Sequence, residues 1–454
     1  MAVIDHIEFV TDSQSLVHYG RDWTRFWTPQ PESIAFPKST EEVVELVRWA
    51  RESGRRLVPS GGRTGLSGGA VASAGEVVVS LEKMRALIDI DPVDSSLTAQ
   101  AGIPVGELQR LAVDAGLYYP VDWAAADSSQ LGGSIATNAG GIRVLKYGMT
   151  RNWVRGLTVV AGTGEVLELN RGLVKNNTGL DLRHLMIGSE GVLGIITEAT
   201  VGLTRPPPEQ SVLLLGFTGL EEIMPSFAEL RARLNLSAFE FFDRRSVDHV
   251  AAQTGETFPL DGGCPFYAVV EFDDPKQSIQ DEALAVFEHL LESGQVADGT
   301  LSQSGAQAQE LWRWREAISE AISEKTPYKN DLSVRISRVP DFLAALDELV
   351  EKHYPDFEVV WFGHIGDGNL HMNVLKPEHW SVEDFHAAGR KLSPNVFELV
   401  RKFEGSVSAE HGVGLLKRND LHYSRSDDEL DSMRQIKRVF DPDHVLNPGK
   451  MLPR

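Results

Sequence analysis

The residue types and spacings best suited to chemistry lie in Trp361-Phe362-Gly363-His364-Ile365-Gly366-Asp367-Gly368-Asn369-Leu370-His371-Met372-Asn373-Val374. His364 and His371 are seven apart, which would set them on opposite faces of one continuous strand. The Asp367-Gly368 pair between them signals a two-residue hairpin turn. That turn sets Gly366 opposite Asn369, Ile365 opposite Leu370 and His364 opposite His371. Both imidazoles then project from one face, with Cβ atoms about 4.5–5.5 Å apart, and Asn373 shares that face. Such a pair can grip a metal ion. Ser408-Ala409-Glu410-His411-Gly412-Val413-Gly414 offers a third ligand, Glu410, and two imidazoles with one carboxylate leave positions open for water or substrate. His411 is then a candidate general base. The plainer reading is a polar cross-strand pair with Glu410 elsewhere in space, and spacing alone leaves both open.

A second chemistry is written in glycine. Pro59-Ser60-Gly61-Gly62-Arg63-Thr64-Gly65-Leu66-Ser67-Gly68-Gly69 combines backbone N–H groups that can approach an anion with the hydroxyls of Ser60, Thr64 and Ser67. A pyrophosphate is the natural occupant. One such stretch alone would read as a surface turn. Two more follow, however: Leu131-Gly132-Gly133-Ser134-Ile135-Ala136-Thr137-Asn138-Ala139-Gly140-Gly141 and Gly188-Ser189-Glu190-Gly191-Val192-Leu193-Gly194. Three loops of this kind in one half argue for a long ligand with phosphates in its middle. No strand-borne G-x-G-x-x-G and no G-x-x-x-x-G-K-[ST] is present, which disfavours a Rossmann nicotinamide enzyme and a P-loop NTPase.

A third group could read a carboxylate. In Leu311-Trp312-Arg313-Trp314-Arg315-Glu316-Ala317-Ile318-Ser319-Glu320, a helix puts Arg315 and Ser319 one turn apart, and Lys329 follows just beyond it. An Arg, a hydroxyl and a Lys converging would bind a carboxylate, the Arg bidentately. A solvated charged helix face is the alternative.

The elements that must position these residues are α+β in both halves. A helix is expected over residues 39–53, with strands at 76–80, 157–161 and 194–197. Beyond Arg205-Pro206-Pro207-Pro208-Glu209, where three prolines favour an extended connector, strands are expected at 212–215, 266–270, 332–335 and 357–362. Helices are expected at 220–234, 276–292 and 340–352. The chain has 454 residues, enough for more than one core. Its formal charge of −21 argues against nucleic acid or anionic membrane as a partner. The one cysteine, Cys264, excludes an internal disulfide framework and a cysteine-ligated metal. Residues 1–13 lack the pattern of a secretory signal, and no stretch of about 18 apolar residues occurs. A cytoplasmic protein without a transmembrane segment is expected.

The three glycine stretches resemble, in order and spacing, the FAD-binding domain of the vanillyl-alcohol-oxidase (PCMH) type, over about residues 35–204. The motifs G-H-x-G-D-G-N-x-H-x-N and S-x-E-H-G-x-G, with Asn447-Pro448-Gly449-Lys450, are similar to those of FAD-linked 2-hydroxyacid dehydrogenases. The resemblance implies an N-terminal extension over 1–34, an FAD domain over 35–208, and a ferredoxin-like α+β substrate and metal domain over 209–454 whose last helical part packs back on the FAD domain. It implies that FAD is held by Pro59, Ser60, Gly61, Gly62, Arg63, Thr64, Gly65, Leu66 and Ser67 around the pyrophosphate. Gly132, Gly133, Ser134, Thr137, Asn138, Gly140, Gly141, Gly188, Glu190, Gly191, Gly194, Ile195 and Ile196 would line flavin and adenine, joined by Asn447. Some members link flavin to a histidine near the first loop. Residues 57–75 contain none, so non-covalent FAD is expected.

The resemblance further implies that His364, His371 and Glu410 bind a divalent metal, zinc first with manganese or cobalt open. His411 would take the hydroxyl proton as a hydride passes from C2 of a D-2-hydroxy acid to flavin N5. The stretch from Leu311 to Asp331 is similar to the branch of the family acting on D-2-hydroxyglutarate, with Arg315, Ser319, Lys329 and Asn373 on the substrate. The hydroxyl there is commonly a threonine; Ser319 keeps the donor. The implied acceptor is an electron-transfer flavoprotein or a quinone; O₂ is open, as is a homodimer. The rival readings are a D-lactate or glycolate dehydrogenase, a metal-dependent hydrolase without flavin, and a flavoprotein subunit that only relays electrons.

Overall fold

A computed structural model describes residues 4–24, 26–260 and 263–453. The first three residues of the expected extension and the last residue of the chain lie outside them. The chain divides into two compact units. The first takes the chain up to Gly141, Gly148–Pro206 and everything from Glu410 on; the second takes Ile142–Tyr147 and Pro207–Ala409. The crossing at Pro206 falls within the triple-proline stretch.

The first unit holds two sheets. Strands β1 (Glu8–Val10), β2 (Ser33–Phe36), β3 (Leu57–Ser60) and β4 (Val77–Ser80) lie in the order β1-β2-β4-β3, with β2, β4 and β3 parallel. Strands β5 (Leu87–Asp91), β6 (Ser96–Gln100), β7 (Val154–Ala161), β8 (Val166–Leu169) and β9 (Gly194–Gly202) form an antiparallel sheet ordered β5-β6-β9-β7-β8. The helix Thr40–Ser53 begins where the Ser39 side chain accepts from the Glu42 N–H, and ends at Gly54 in the left-handed region. Its buried Val43, Leu46, Val47 and Ala50 join one core with Ala35 and Val77 of the first sheet and Ala99, Val159 and Ala199 of the second. Each such Val or Leu contributes about 1.5–3 kcal/mol by leaving water. The helix Asp427–Phe440 opens on a reciprocal Ser426–Glu429 capping box, and its Lys437 donates to the carbonyls of Val192 and Leu446.

The second unit is built on one seven-stranded sheet. Strands β10 (Gln210–Phe217), β11 (Leu236–Asp243), β12 (Phe266–Asp273), β13 (Asp298–Leu301), β14 (Tyr328–Ser333), β15 (Glu358–Gly363) and β16 (Asn369–Leu375) run in the order β13-β10-β12-β11-β15-β16-β14, all antiparallel. The first four strands, with helices Ile223–Arg233 and Gln277–Glu292, make a ferredoxin-like arrangement. Alternation along β11 sends Ala238, Glu240 and Phe242 to one face, where Ala238 and Phe242 pack with Leu311, Trp312 and Trp314 of helix Gly305–Glu316. Phe239 and Phe241 point the other way, Phe239 against Phe227.

Two expectations about elements are corrected. Residues 131–137 form a short helix rather than an open loop, and Gly132 is small enough to let it pack: a Cβ there would lie 2.7 Å from the Ala101 methyl. The strand expected at 332–335 is Tyr328–Ser333, so Lys329 stands in a strand and not merely past a helix.

Candidate active site

The histidine hairpin turns differently from its sequence signal. Phe362 pairs with His371, and the Asn369 N–H donates to the His364 carbonyl at 3.2 Å. A four-residue connection, Ile365 to Gly368, replaces the two-residue turn; its Ile365–Asp367 turn is 3₁₀ and Gly368 sits at φ +88°. The Gly368 conformation and the Val334 carbonyl, 2.3 Å from a hypothetical Cβ, exclude a side chain there. The register therefore slips by two from the expected one. A slip of two preserves the face, so His364 and His371 still meet, as diagonal rather than opposed neighbours. Their ring centroids are 5.3 Å apart, and each offers a ring nitrogen within 4.8 Å of the other's.

Each imidazole has a buried carboxylate behind it. Glu240 Oε1 lies 2.7 Å from His364 Nδ1, a carboxylate partner that favours the proton on Nδ1 and leaves Nε2 the nitrogen suited to ligation. Asp331, paired with His371 across β14 and β16, lies 3.9 Å from His371 Nδ1. Asp331 accepts from Asn369 Nδ2 at 2.9 Å and from the Ala409 N–H at 3.0 Å. That last bond fixes the end of the second unit beside the hairpin. Glu410 is the next residue along the chain, and its carboxylate lies 3.3 Å from His411 Nε2.

Other expected substrate residues are placed as follows. Asn373 is buried and donates through Nδ2 to the carbonyls of Val360 and His371. Lys329 lies opposite Asn373; it is exposed, yet desolvation by surrounding protein lowers its pKa. Arg315 is buried, with Nη2 2.8 Å from Glu240 Oε2 and its guanidinium 4.8 Å over the Phe362 ring. The contact with Glu240 has ion-pair distance without hydrogen-bond angles. Arg315 is thus not an isolated cation. Ser319 is exposed and stands in a separate turn, Ile318–Ala321, beyond the helix of Arg315, which ends at Glu316.

In the first unit, the three glycine stretches are stitched together. The Gly188 and Glu190 N–H groups donate to Ile135 and Ala136, and the Leu415 and Leu416 N–H groups donate to the Ser67 carbonyl. Both Glu190 carboxylate oxygens accept backbone N–H groups at 2.7 Å, from Val413 and Gly414. Burial raises the Glu190 pKa, against these two bonds. Asn447 spans the same region, donating to the Gly69 and Glu190 carbonyls and accepting from Lys450 Nζ at 2.6 Å. Burial pushes the Lys450 ammonium down to about 7, against attraction by Glu76, Asp22 and Glu190.

The polar side chains expected to line the cofactor divide. Ser134 and Thr137 turn back to the carbonyls of Leu131 and Gly133, and Asn138 accepts the Arg151 N–H. Ser60 Oγ is buried and, among the described residues, has no partner; the same holds for Gln130 Oε1. Gly133 has nothing within 4 Å of a hypothetical Cβ, whereas Gly62 and Gly141 would strike the Ser128 and Asp122 carbonyls at 2.0 Å. Arg63 lies over the Tyr19 ring and 3.0 Å from His18 Nε2, so a histidine does neighbour the first loop in space. Ile195 and Ile196 are core residues of β9.

Sequence reasoning missed Glu240 and Asp331. The available signal for Glu240 was one charged residue inside the apolar run Ala238-Phe239-Glu240-Phe241-Phe242, which demands a buried partner.

Comparison with known proteins adds to this geometry. The family profile "FAD linked oxidases, C-terminal domain" matches residues 206–451, and "FAD binding domain" matches 31–170. A D-2-hydroxyglutarate dehydrogenase of Stutzerimonas stutzeri is 51% identical over 442 residues, covering 97% of this chain and 95% of that protein. One of Xanthomonas citri pv. viticola is 54% identical over 441 residues, covering 97% and 93%. Among solved structures, 4-ethylphenol oxidase from Gulosibacter chungangensis aligns at a TM-score of 0.74 and 17% identity, covering 98% of this chain and 94% of that one, a likeness of fold.

Proposed function

The chain belongs to the FAD-linked oxidase family and is a flavin-dependent oxidoreductase, and on that premise we propose that it oxidises D-2-hydroxyglutarate to 2-oxoglutarate with the help of a divalent cation. The observation that carries the reading is the His364–His371 pair, set on one sheet face with Lys329, Asn373 and Arg315. The relatives named for this activity supply the substrate.

The residues fit both groups. Buried Ser60 Oγ and Gln130 Oε1 without partners among the described residues, and the open side of Gly133, suit a polar cofactor threaded between the glycine stretches. His364, with Glu240 at Nδ1 leaving Nε2 for ligation, and His371 suit a nitrogen–oxygen metal site, which Glu410 would complete. When bound, FAD would supply the hydride acceptor for C2, and the cation, zinc first, would lower the pKa of the C2 hydroxyl. His411 takes the hydroxyl proton on its imidazole. Asn373 orients the C1 carboxylate. Lys329, Arg315 and Ser319 receive the distal carboxylate, Arg315 with the Nε donor that has no partner among the described residues.

A second reading, D-lactate or glycolate as substrate, draws on the pairing of Arg315 with Glu240, since a cation already opposed selects less strongly for a second carboxylate. The test is anaerobic bleaching of the flavin by D-2-hydroxyglutarate, D-malate and D-lactate. Fastest bleaching by D-2-hydroxyglutarate supports the reading; bleaching by D-lactate alone replaces it with the second; a protein without visible flavin absorbance refutes both.

A further inference from the structure

Glu240 belongs to neither histidine nor arginine alone. It stands mid-strand in β11, 1% exposed, where an ionised carboxylate is costly unless paired. One oxygen is 2.7 Å from His364 Nδ1, and the other is 2.8 Å from Arg315 Nη2. A single buried anion therefore has two claimants, one an expected metal ligand and the other an expected substrate cation. The Arg315 contact lacks hydrogen-bond angles and its Nε has no partner among the described residues, so Glu240 holds the guanidinium less completely than it holds the imidazole.

We propose that Glu240 is a shared positioning residue, which orients His364 for the metal and Arg315 for the substrate's second carboxylate and so couples the two sites. The proposal rests on the metal reading above. A dication held by His364 and His371 would make the His364 imidazole more positive and draw the Glu240 charge toward Nδ1–H. Arg315 would then be held more loosely by its counter-ion and be available to a carboxylate. Phe362, beneath the guanidinium, keeps it in place during the exchange.

The test uses the flavin-loaded protein stripped of metal by chelation. Zinc affinity is measured by competition with a chromophoric chelator for the wild type and for Glu240→Gln. The amide keeps an acceptor for Nδ1–H but removes the charge. The expected result is an affinity lower by about 10–100-fold, the range seen when such outer partners are lost. The ratio of KM for D-lactate to KM for D-2-hydroxyglutarate should rise with it, because Arg315 loses the anion that opposes it and is open to the second carboxylate. A merely structural Glu240 would lower thermal stability while leaving zinc affinity and the KM ratio at wild-type values, and that result overturns the proposal alone. If the wild type binds no zinc near one per chain, the metal reading fails and takes the proposal with it. Should Glu240→Gln not fold, Glu240→Asp carries the test: with the carboxylate one methylene short of His364, wild-type zinc affinity would overturn the proposal.

Discussion

Glu190 offers the sharpest single perturbation. Its two oxygens accept the N–H groups of Val413 and Gly414, each at 2.7 Å, and so hold the turn that follows His411. Glu190→Gln keeps one acceptor and turns an NH₂ group toward the other N–H, so one charge-assisted bond is lost. Such a bond to a charged group is worth about 1.5–3 kcal/mol. At about 1.4 kcal/mol per tenfold, amide exchange in residues 410–416 should accelerate by about 10–100-fold, while exchange in the helix Asp427–Phe440 stays unchanged. The loosened turn should also slow flavin reduction, since a displacement of about 1 Å at a reacting group can cost on the order of 100-fold. Hydrogen exchange read by mass spectrometry, with stopped-flow flavin reduction on the same sample, measures both. Unchanged protection across 410–416 would refute the assignment of Glu190 to this turn.

Other outcomes follow from the same geometry. His411→Ala should retain FAD and metal, read from the visible spectrum and metal analysis, yet lose nearly all single-turnover flavin reduction; unchanged reduction would remove His411 as base. Arg315→Ala should raise the KM for D-2-hydroxyglutarate by about 10-fold or more, as loss of a charged contact worth about 1.5–3 kcal/mol implies, and spare D-lactate; equal loss for both would assign Arg315 a structural role. For Lys450, a folded pKa of about 7 against 10.5 ordinarily means that the unfolded chain binds more protons between those values. Its contribution is fully present above about 10.5 and is lost as pH falls toward 7. Wild-type stability relative to Lys450→Met should therefore rise by up to about 1.4 kcal/mol per pH unit above 7, measured by denaturant unfolding. A flat difference between pH 7.5 and 9 would contradict it.

Much of this was legible in the sequence, and the misses have physical causes. The three glycine stretches, the triple-proline crossing and the two histidines stand out because each is a local signal in residue type and spacing. Asp367-Gly368 located the hairpin but misjudged its turn by two residues, and only the even parity of that slip kept His364 and His371 on one face. The helix at Leu131–Thr137 was hidden because its two glycines are poor helix formers, although packing against Ala101 requires one of them, Gly132. Glu240 was out of reach for a different reason: its partner His364 is 124 positions away, and only the sheet order β11-β15-β16 brings them together. Glu190 could be read as part of a glycine loop, but its bonds to Val413 and Gly414 span more than 220 positions.

The central claim, metal-assisted oxidation of a D-2-hydroxy diacid by bound FAD, meets its most direct test in one anaerobic cuvette. D-2-hydroxyglutarate is mixed with the flavoprotein as purified, after chelation, and after zinc is restored. Rapid bleaching, its loss on chelation with the flavin still bound, and its return with about one zinc per chain are the expected results. Bleaching at the same rate in the chelated protein would contradict the account.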